Sequence, residues 1–233
     1  MLGIIVGMGP NASSLFYKML IEKTPAAKDQ DHMDLMMLSH ASIPDRTAAI
    51  LSGDKERIGY VRDLIRDDII RLRAAGCDRI AITCNTAHYF VDMLEEKKHV
   101  IHLISETVNA VKSRPHHSRA ALLATRGTIE TRIYQDALEA AGIEVYIPSE
   151  IGQDKIMSII YDYVKKGSPA PQALWNDIHS EAAESGCDLA VLGCTELSFA
   201  ARELKLDITE NGFYVDSMDV LASKCVELCA PSN

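Results

Sequence analysis

Two stretches of this chain, 110 residues apart from Cys84 to Cys194, each bring a thiol to the end of an apolar run. The first reads Gly76-Cys77-Asp78, Arg79-Ile80-Ala81-Ile82-Thr83, Cys84-Asn85-Thr86. The second reads Gly186-Cys187-Asp188, Leu189-Ala190-Val191-Leu192-Gly193, Cys194-Thr195-Glu196. In both, a run of one buried strand's length ends in a cysteine followed by small polar residues. A sulfur at the carboxyl end of a strand and the entrance of a helix sits where ligands bind in open parallel sheets. A helix N-terminus and nearby donors lower a thiol's pKa from about 8.5 toward neutrality. Asn85, Thr86 and Thr195 can offer hydrogen bonds to an anion at the same helix ends. Two related halves presenting Cys84 and Cys194 to one shared cleft are the expectation.

The remaining cysteines carry no comparable signal. Cys77 and Cys84 bracket one expected strand, about 23 Å apart at ~3.3 Å per residue, and Cys187 and Cys194 repeat that spacing. Neither pair can form a disulfide or share a metal. Cys225 and Cys229 lie one helical turn apart, with Cβ atoms at ~5–6 Å, beyond the ~3.5–4.5 Å a disulfide accepts. No CxxC zinc pattern occurs. Free thiols in a reducing compartment follow, with Cys77, Cys187, Cys225 and Cys229 as small buried apolar residues.

Short apolar runs alternate with longer amphipathic ones throughout, the pattern of βαβ units and a parallel sheet. Strands are expected at residues 2–6, 35–38, 80–83 and 100–104, then at 120–124, 144–147, 189–192 and 214–215. Ser13 or Ser14 is expected to cap a helix running to Lys23, and residues 39–46 to form a loop. In the stretch 55–75, Ile58, Val61, Ile65, Ile69 and Leu72 recur at intervals of 3, 4, 4 and 3, one helix face, ended by Gly76. Further helices are expected at 87–96, 105–112, 128–141, 151–165 and 172–185, from Glu196 onward, and at 217–228. The polar, Pro-containing segment 113–118 is the linker between domains 1–113 and 119–212. The tail 213–233 is without a counterpart in the first half and a candidate to pack back on the first domain.

Bulk composition bounds the rest. With 233 residues, 47% hydrophobic and 24% charged, the chain fits one large core or two of roughly 110 residues. A net charge of −9 without a Lys/Arg block disfavours nucleic acid as a partner. No apolar stretch reaches the roughly 18 residues of a membrane helix. The apolar N-terminus lacks a basic leader region, so a cytoplasmic location is expected. The loop Gly7-Met8-Gly9-Pro10 invites a dinucleotide reading, which fails because Ala12 replaces the third glycine and no acidic ribose ligand closes the second strand.

Thr83-Cys84-Asn85-Thr86-Ala87-His88 together with Gly193-Cys194-Thr195-Glu196-Leu197 resembles the aspartate/glutamate racemase family. So do Gly7-Met8-Gly9-Pro10 and Ile43-Pro44-Asp45-Arg46-Thr47, in order along essentially the whole chain. The resemblance implies an α/β fold of two pseudo-symmetric domains, each a mainly parallel sheet flanked by helices, with the active site in the interdomain cleft. It implies a cofactor-independent, metal-free racemase of a small amino acid, aspartate first and glutamate second, usually a homodimer. Some relatives carry Thr at the first position. Cys at both implies that Cys84 and Cys194 work as two bases on both enantiomers.

The same resemblance gives Arg46 and Lys165 as the distal-carboxylate ligands. A guanidinium suits bidentate carboxylate binding. Lys165 competes with Lys166 for the role, and a solvated charge near a helix end is the alternative for either. Met8, Gly9, Asn85, Thr86, Thr125 and Thr195 would hold the α-carboxylate and amino group. His88 and Glu196 flank the thiols, either orienting or tuning them or serving the fold. His116 and His117 belong to the linker. Hydantoin racemases, maleate isomerases and arylmalonate decarboxylases share related cysteine folds and are the enzymatic alternatives. A non-catalytic amino-acid-binding protein is the alternative of another class.

Overall fold

The structure, a computed structural model, describes residues 1–209 and 211–231. Glu210, inside the expected second domain, and Ser232 and Asn233, at the end of the expected tail, lie outside the described residues.

The first half runs β1 (Leu2–Val6), α1 (Pro10–Lys23), β2 (Leu35–Ser39), α2 (Arg46–Leu51), α3 (Lys55–Ala74), β3 (Arg79–Ile82), α4 (Ala87–Val91) and α5 (Leu103–Lys112). The second runs β4 (Arg119–Ala124), α6 (Arg126–Glu130), α7 (Ile133–Ala140), β5 (Glu144–Tyr146), α8 (Glu150–Ser158), α9 (Gln172–Glu184), β6 (Leu189–Gly193), α10 (Thr195–Glu203), β7 (Tyr214–Asp216) and α11 (Ser217–Cys229). Two all-parallel sheets result, ordered β2-β1-β3 and β5-β4-β6-β7. β1 and β4 occupy equivalent central places, and β3 and β6, which lead to the two cysteines, lie beside them.

Strand periodicity assigns each side chain to a core. Leu2, Ile4 and Val6 of β1, with Ala120, Leu122 and Ala124 of β4, face one core common to both halves. Into it α1 inserts Phe16 and Met19, α5 inserts Leu103 and Val111, and α11 inserts Leu221 and Cys225. The alternate residues face outward: Ile5 toward Val61, Ile65 and Ile69 of α3, and Leu123 toward Trp175 and Ile178 of α9. This is the period of two expected of strands covered on both faces. Cys77, Cys187 and Cys225 are buried and Cys229 is half-buried.

Several boundaries differ from the sequence expectation, each for a local reason. α1 begins at Pro10 with Gly9 as its cap, while Ser13 lies inside, donating to the Gly9 carbonyl at 2.8 Å and accepting from the Gly7 amide at 3.1 Å. Residues 39–46 are not all loop, because the Asp45 carboxylate accepts from Ala48 N at 2.8 Å and starts α2 at Arg46. The helix expected at 87–96 stops at Val91 and a 3₁₀ turn follows at Glu95–His99. The helix expected at 128–141 breaks at Arg132, whose φ is 55°. That expected at 151–165 leaves the α geometry after Ser158, passing through a π turn (Ile159–Tyr163) and a 3₁₀ turn (Val164–Lys166).

The strand expected at 100–104 shrinks to a single bridge, Ile80 to Val100, because the His102 ring accepts from Ser105 N and starts α5 at Leu103. That bridge and α5 stand to β3 as β7 and α11 stand to β6. The tail therefore does have a counterpart in the first half. β7 extends the second sheet, while α11 packs against α1 and α5 of the first.

Buried polar groups tie the halves together. The Tyr134 hydroxyl donates to Asn85 Oδ1 at 2.6 Å, the Asn85 amide donates to Ser217 Oγ at 3.1 Å, and Ser217 donates to the Leu192 carbonyl at 2.7 Å. Burial pushes the Tyr134 phenol well up, so it stays a donor. On the other side, a Cβ on Gly127 of α6 would sit 2.7 Å from Thr47 Cα of α2, a contact only glycine permits. Tyr134→Phe leaves Asn85 Oδ1 buried without its donor and should lower stability by about 1–3 kcal/mol. Urea unfolding of the two proteins at one pH measures it, and an unchanged midpoint would remove this chain of bonds as a tie between the halves.

Candidate active site

β3 and β6 end side by side with their helices' entrances, and the two thiols follow. Cys84 comes two residues after β3, and Cys194 caps α10 in extended conformation, with φ −151° and ψ 132°. Their exposures are nearly equal, 7% and 6%. Both line one narrow cleft, walled by Met8, Arg46 and Thr86 of the first half and by Thr125, Lys165 and Thr195 of the second. The free volume in this cleft is about 10 Å³, room for roughly one water. It adjoins a cavity of about 380 Å³ bounded by residues 7–12 at the entrance of α1, Ile43, Arg46, Val164, Lys165 and Glu196.

The charged groups are already engaged. Arg46 is buried at the start of α2, donating to the carbonyls of Ile43 and Pro44 at 3.2 Å each and of Met8 at 2.9 Å. Its Nε is buried without a partner among the described residues. Burial opposes the charge, but Cys84, Asp45 and Glu196 around the guanidinium more than offset this and hold its pKa above the ordinary value. Asp45 faces the cleft opposite Lys165, whose Nζ lies 3.4 Å from Oδ2, and accepts from the Tyr161 hydroxyl at 3.0 Å. Burial alone would raise the Asp45 carboxyl; Ala48 N–H, Lys165, Arg46 and Tyr161 bring it below the usual range. Lys165 also lies 4.3 Å from the Tyr161 ring centre. Lys166 points elsewhere, pairing with Asp162 at 3.0 Å on the surface.

Asp45 and Tyr161 are site residues that the sequence reading did not single out. Asp45 stood inside a quoted motif, and its one signal was its place before a short helix. Tyr161 had none, because the π turn that directs it to Asp45 breaks the helical phase.

The polar residues sort into two groups. Thr86, Thr125 and Thr128 form a cycle of hydroxyls, with separations of 2.8, 3.1 and 3.2 Å, and Thr47 donates to Thr125 at 3.0 Å. Thr125 also caps α6. Thr195 Oγ1 lies 3.4 Å from the Thr83 carbonyl and 3.3 Å from Glu196 Oε2. The Asn85 side chain is committed to Tyr134 and Ser217 behind the cleft. Among the described residues no group of three His, Cys, Asp or Glu side chains could hold a metal ion.

The two residues flanking the thiols differ in kind. Cys194 Sγ donates to Glu196 Oε2 at 3.0 Å, while Glu196 Oε1 has no partner among the described residues. Gly9 makes room for that carboxylate, since a Cβ there would lie 2.5 Å from Oε1. Burial, then the Glu196 charge and its hydrogen bond, push the Cys194 thiol well above its ordinary pKa, against a weaker pull from the Glu196 amide and Lys165. His88 instead donates from Nδ1 to the Cys84 carbonyl at 2.9 Å and accepts at Nε2 from Leu103 N at 3.2 Å. It anchors the backbone of the Cys84 turn to the start of α5. Complete burial, helped by His102, pushes its pKa down to about 3, so the ring is neutral.

Residues 5–225 match the family described as Asp/Glu/hydantoin racemase. The broad specificity amino-acid racemase RacX of Bacillus subtilis (strain 168) is 28% identical over 97% of this chain and 96% of its own length. The glutamate racemase of Deinococcus radiodurans is 26% identical over 67% of this chain and 55% of its own. Among solved structures, Picrophilus torridus aspartate racemase superposes with a TM-score of 0.80 at 29% identity, covering 97% of this chain and 93% of that one.

The neutral His88 makes stability depend on pH. Its folded pKa of about 3 lies below the unfolded value, so the unfolded chain binds more protons across that interval. The contribution is complete above about pH 6.5 and is lost as pH falls toward the folded value, at about 1.4 kcal/mol per pH unit. Urea midpoints followed from about pH 7 to 4.5 should therefore fall less steeply for His88→Gln than for the wild type. Parallel slopes would mean that His88 accepts a proton in the folded protein.

Proposed function

The chain belongs to the Asp/Glu/hydantoin racemase family, and we propose that it interconverts the enantiomers of an acidic amino acid, aspartate first, using Cys84 and Cys194 as its two bases. The observation that carries this reading is the shared cleft: two thiols from opposite halves, with Arg46 and Lys165 beside them. Inverting Cα requires a proton to leave one face and another to arrive at the opposite face. A thiolate removes it, a thiol supplies it, and the pair is then ready for the reverse reaction. No other group is required to change its protonation state.

Lys165 is the natural ligand for the distal carboxylate, exchanging Asp45 for the substrate as the cleft fills. Arg46, fixed by three carbonyls, contributes a rigid positive charge at Cys84. With so little free volume between the thiols, substrate entry must part the two halves, and their closing then excludes water from the reacting atoms. The homodimer implied by the resemblance belongs to the same proposal, and sedimentation would read double the 25.6 kDa of one chain.

A second reading, racemisation of a broader range of amino acids, is favoured by one observation. Asp45 and Glu196 face Lys165 and Arg46, so the cleft and its adjoining cavity hold two carboxylates against two cations. That balance does not by itself select an anionic side chain, and the likeness to a broad specificity racemase agrees with it.

Incubating either enantiomer in D₂O and following α-deuteration tests the chemistry. Cys84→Ser or Cys194→Ser should each lower racemisation by about 10²–10⁴-fold, the range of one general acid or base. The double variant should lose exchange altogether, and its retention of wild-type exchange would sink the two-thiol mechanism. Lys165→Ala should raise KM for aspartate more than for alanine. An unchanged preference between them would move the assignment to the broader reading.

A further inference from the structure

We propose that Glu196 holds the proton on Cys194 in the free enzyme, so that this thiol enters the reaction as the acid and Cys84 as the base. This rests on the two-thiol reading and goes beyond it, since that mechanism is satisfied by either arrangement. The sulfurs are nearly equal in exposure, and the charges facing them differ.

Cys194 Sγ meets the buried Glu196 carboxylate at 3.0 Å. Its other titratable neighbours are Lys165, a weaker opposing charge, and the phenols of Tyr134 and Tyr161, both kept protonated by burial. Cys84 faces the Arg46 guanidinium instead, and the His88 behind it is neutral and bonded to backbone. A thiolate at Cys194 would stand next to a carboxylate, while one at Cys84 stands next to a cation. Gly9 leaves the space that Oε1 occupies, since a Cβ there would lie 2.5 Å from it. That oxygen has no partner among the described residues, while Oε2 takes the Cys194 thiol at 3.0 Å and the Thr195 hydroxyl, more distant, at 3.3 Å.

The consequence for turnover can be followed proton by proton. Cys84 thiolate takes the α-proton of one enantiomer, forming its S–H bond. The Cys194 S–H bond breaks as its proton passes to the opposite face of Cα. The product departs from an enzyme bearing a thiol at Cys84 and a thiolate beside Glu196. Like charges at that separation make this the minor free form, and exchange with solvent takes the proton from Cys84 and returns one to Cys194. One enantiomer thus meets the abundant form and the other the rare one. Enantiomers have equal free energies, so kcat/KM must be the same for both in the wild type and in every variant. The inequality appears in KM, with a compensating inequality in kcat.

Two measurements test this. In free enzyme treated with iodoacetamide and read by peptide mass spectrometry, Cys84 should be alkylated at least about tenfold faster than Cys194, the equivalent of one pKa unit of thiolate. Glu196→Gln should bring the two rates within about threefold and Glu196→Asp should keep them apart, as expected of a like-charge effect. Across the same proteins, checked for native circular dichroism, Glu196→Gln should draw the KM values of the enantiomers together while kcat/KM stays equal for both. A purely structural Glu196 would lower kcat in both directions without changing the KM ratio, and that result overturns the proposal. Equal alkylation in the wild type, or an unchanged ratio in Glu196→Gln, does so too. Alkylation needs no turnover, so the proposal fails or stands separately from the two-thiol mechanism, which the serine variants test.

Discussion

The site depends on one constraint: the carboxyl ends of two separate sheets must meet closely enough for one small molecule to touch both. Parallel strands can present a residue at that end, but a single sheet presents it from one side only. Here a core common to both halves, filled from α1, α5, α7 and α11, fixes how the sheets stand to each other. The hydrogen bonds from Tyr134 through Asn85 to Ser217 reinforce that arrangement directly behind Cys84. Packing far from the sulfurs thereby sets their mutual placement, because interiors at crystal-like density transmit small shifts.

Desolvation gives the charged residues their character. Four ionic side chains line a cleft with almost no free volume, and each has a partner, although Arg46 Nε and Glu196 Oε1 have none among the described residues. Unpaired, they would carry heavy costs of burial. Paired, they make a low-dielectric site in which each charge acts strongly on its neighbour. Asp45 illustrates the balance, since burial pushes its carboxyl one way and four partners push it further the other.

The thiols were legible in the sequence because the same strand-end pattern recurs around each of them. Arg46 stood in a motif, and Lys165 was reached only through the family resemblance, since the turn that carries it is no longer α-helical. Asp45 was hidden because a cap residue reads as ordinary loop, and Tyr161 because a π turn shifts the helical phase without leaving a mark in residue type. The counterpart of the tail was missed for a related reason: one bridge at Val100 does the work that three residues of β7 do in the other half. His88 and Glu196 looked equivalent as neighbours of cysteines. Spacing separated them, since residue 88 faces back to a carbonyl one turn earlier, whereas residue 196 lies within reach of the sulfur itself.

The three hydroxyls of Thr86, Thr125 and Thr128 lie within hydrogen-bonding distance in a closed cycle, and within each pair either oxygen can be the donor. Thr125 Oγ1 already accepts from the Thr47 hydroxyl and the Thr128 amide, which fill its two lone pairs, so its own O–H points onward to Thr86 or Thr128. Which of the two it faces changes by turning O–H bonds alone, so this wall of the cleft re-aims its donors while its heavy atoms stay fixed.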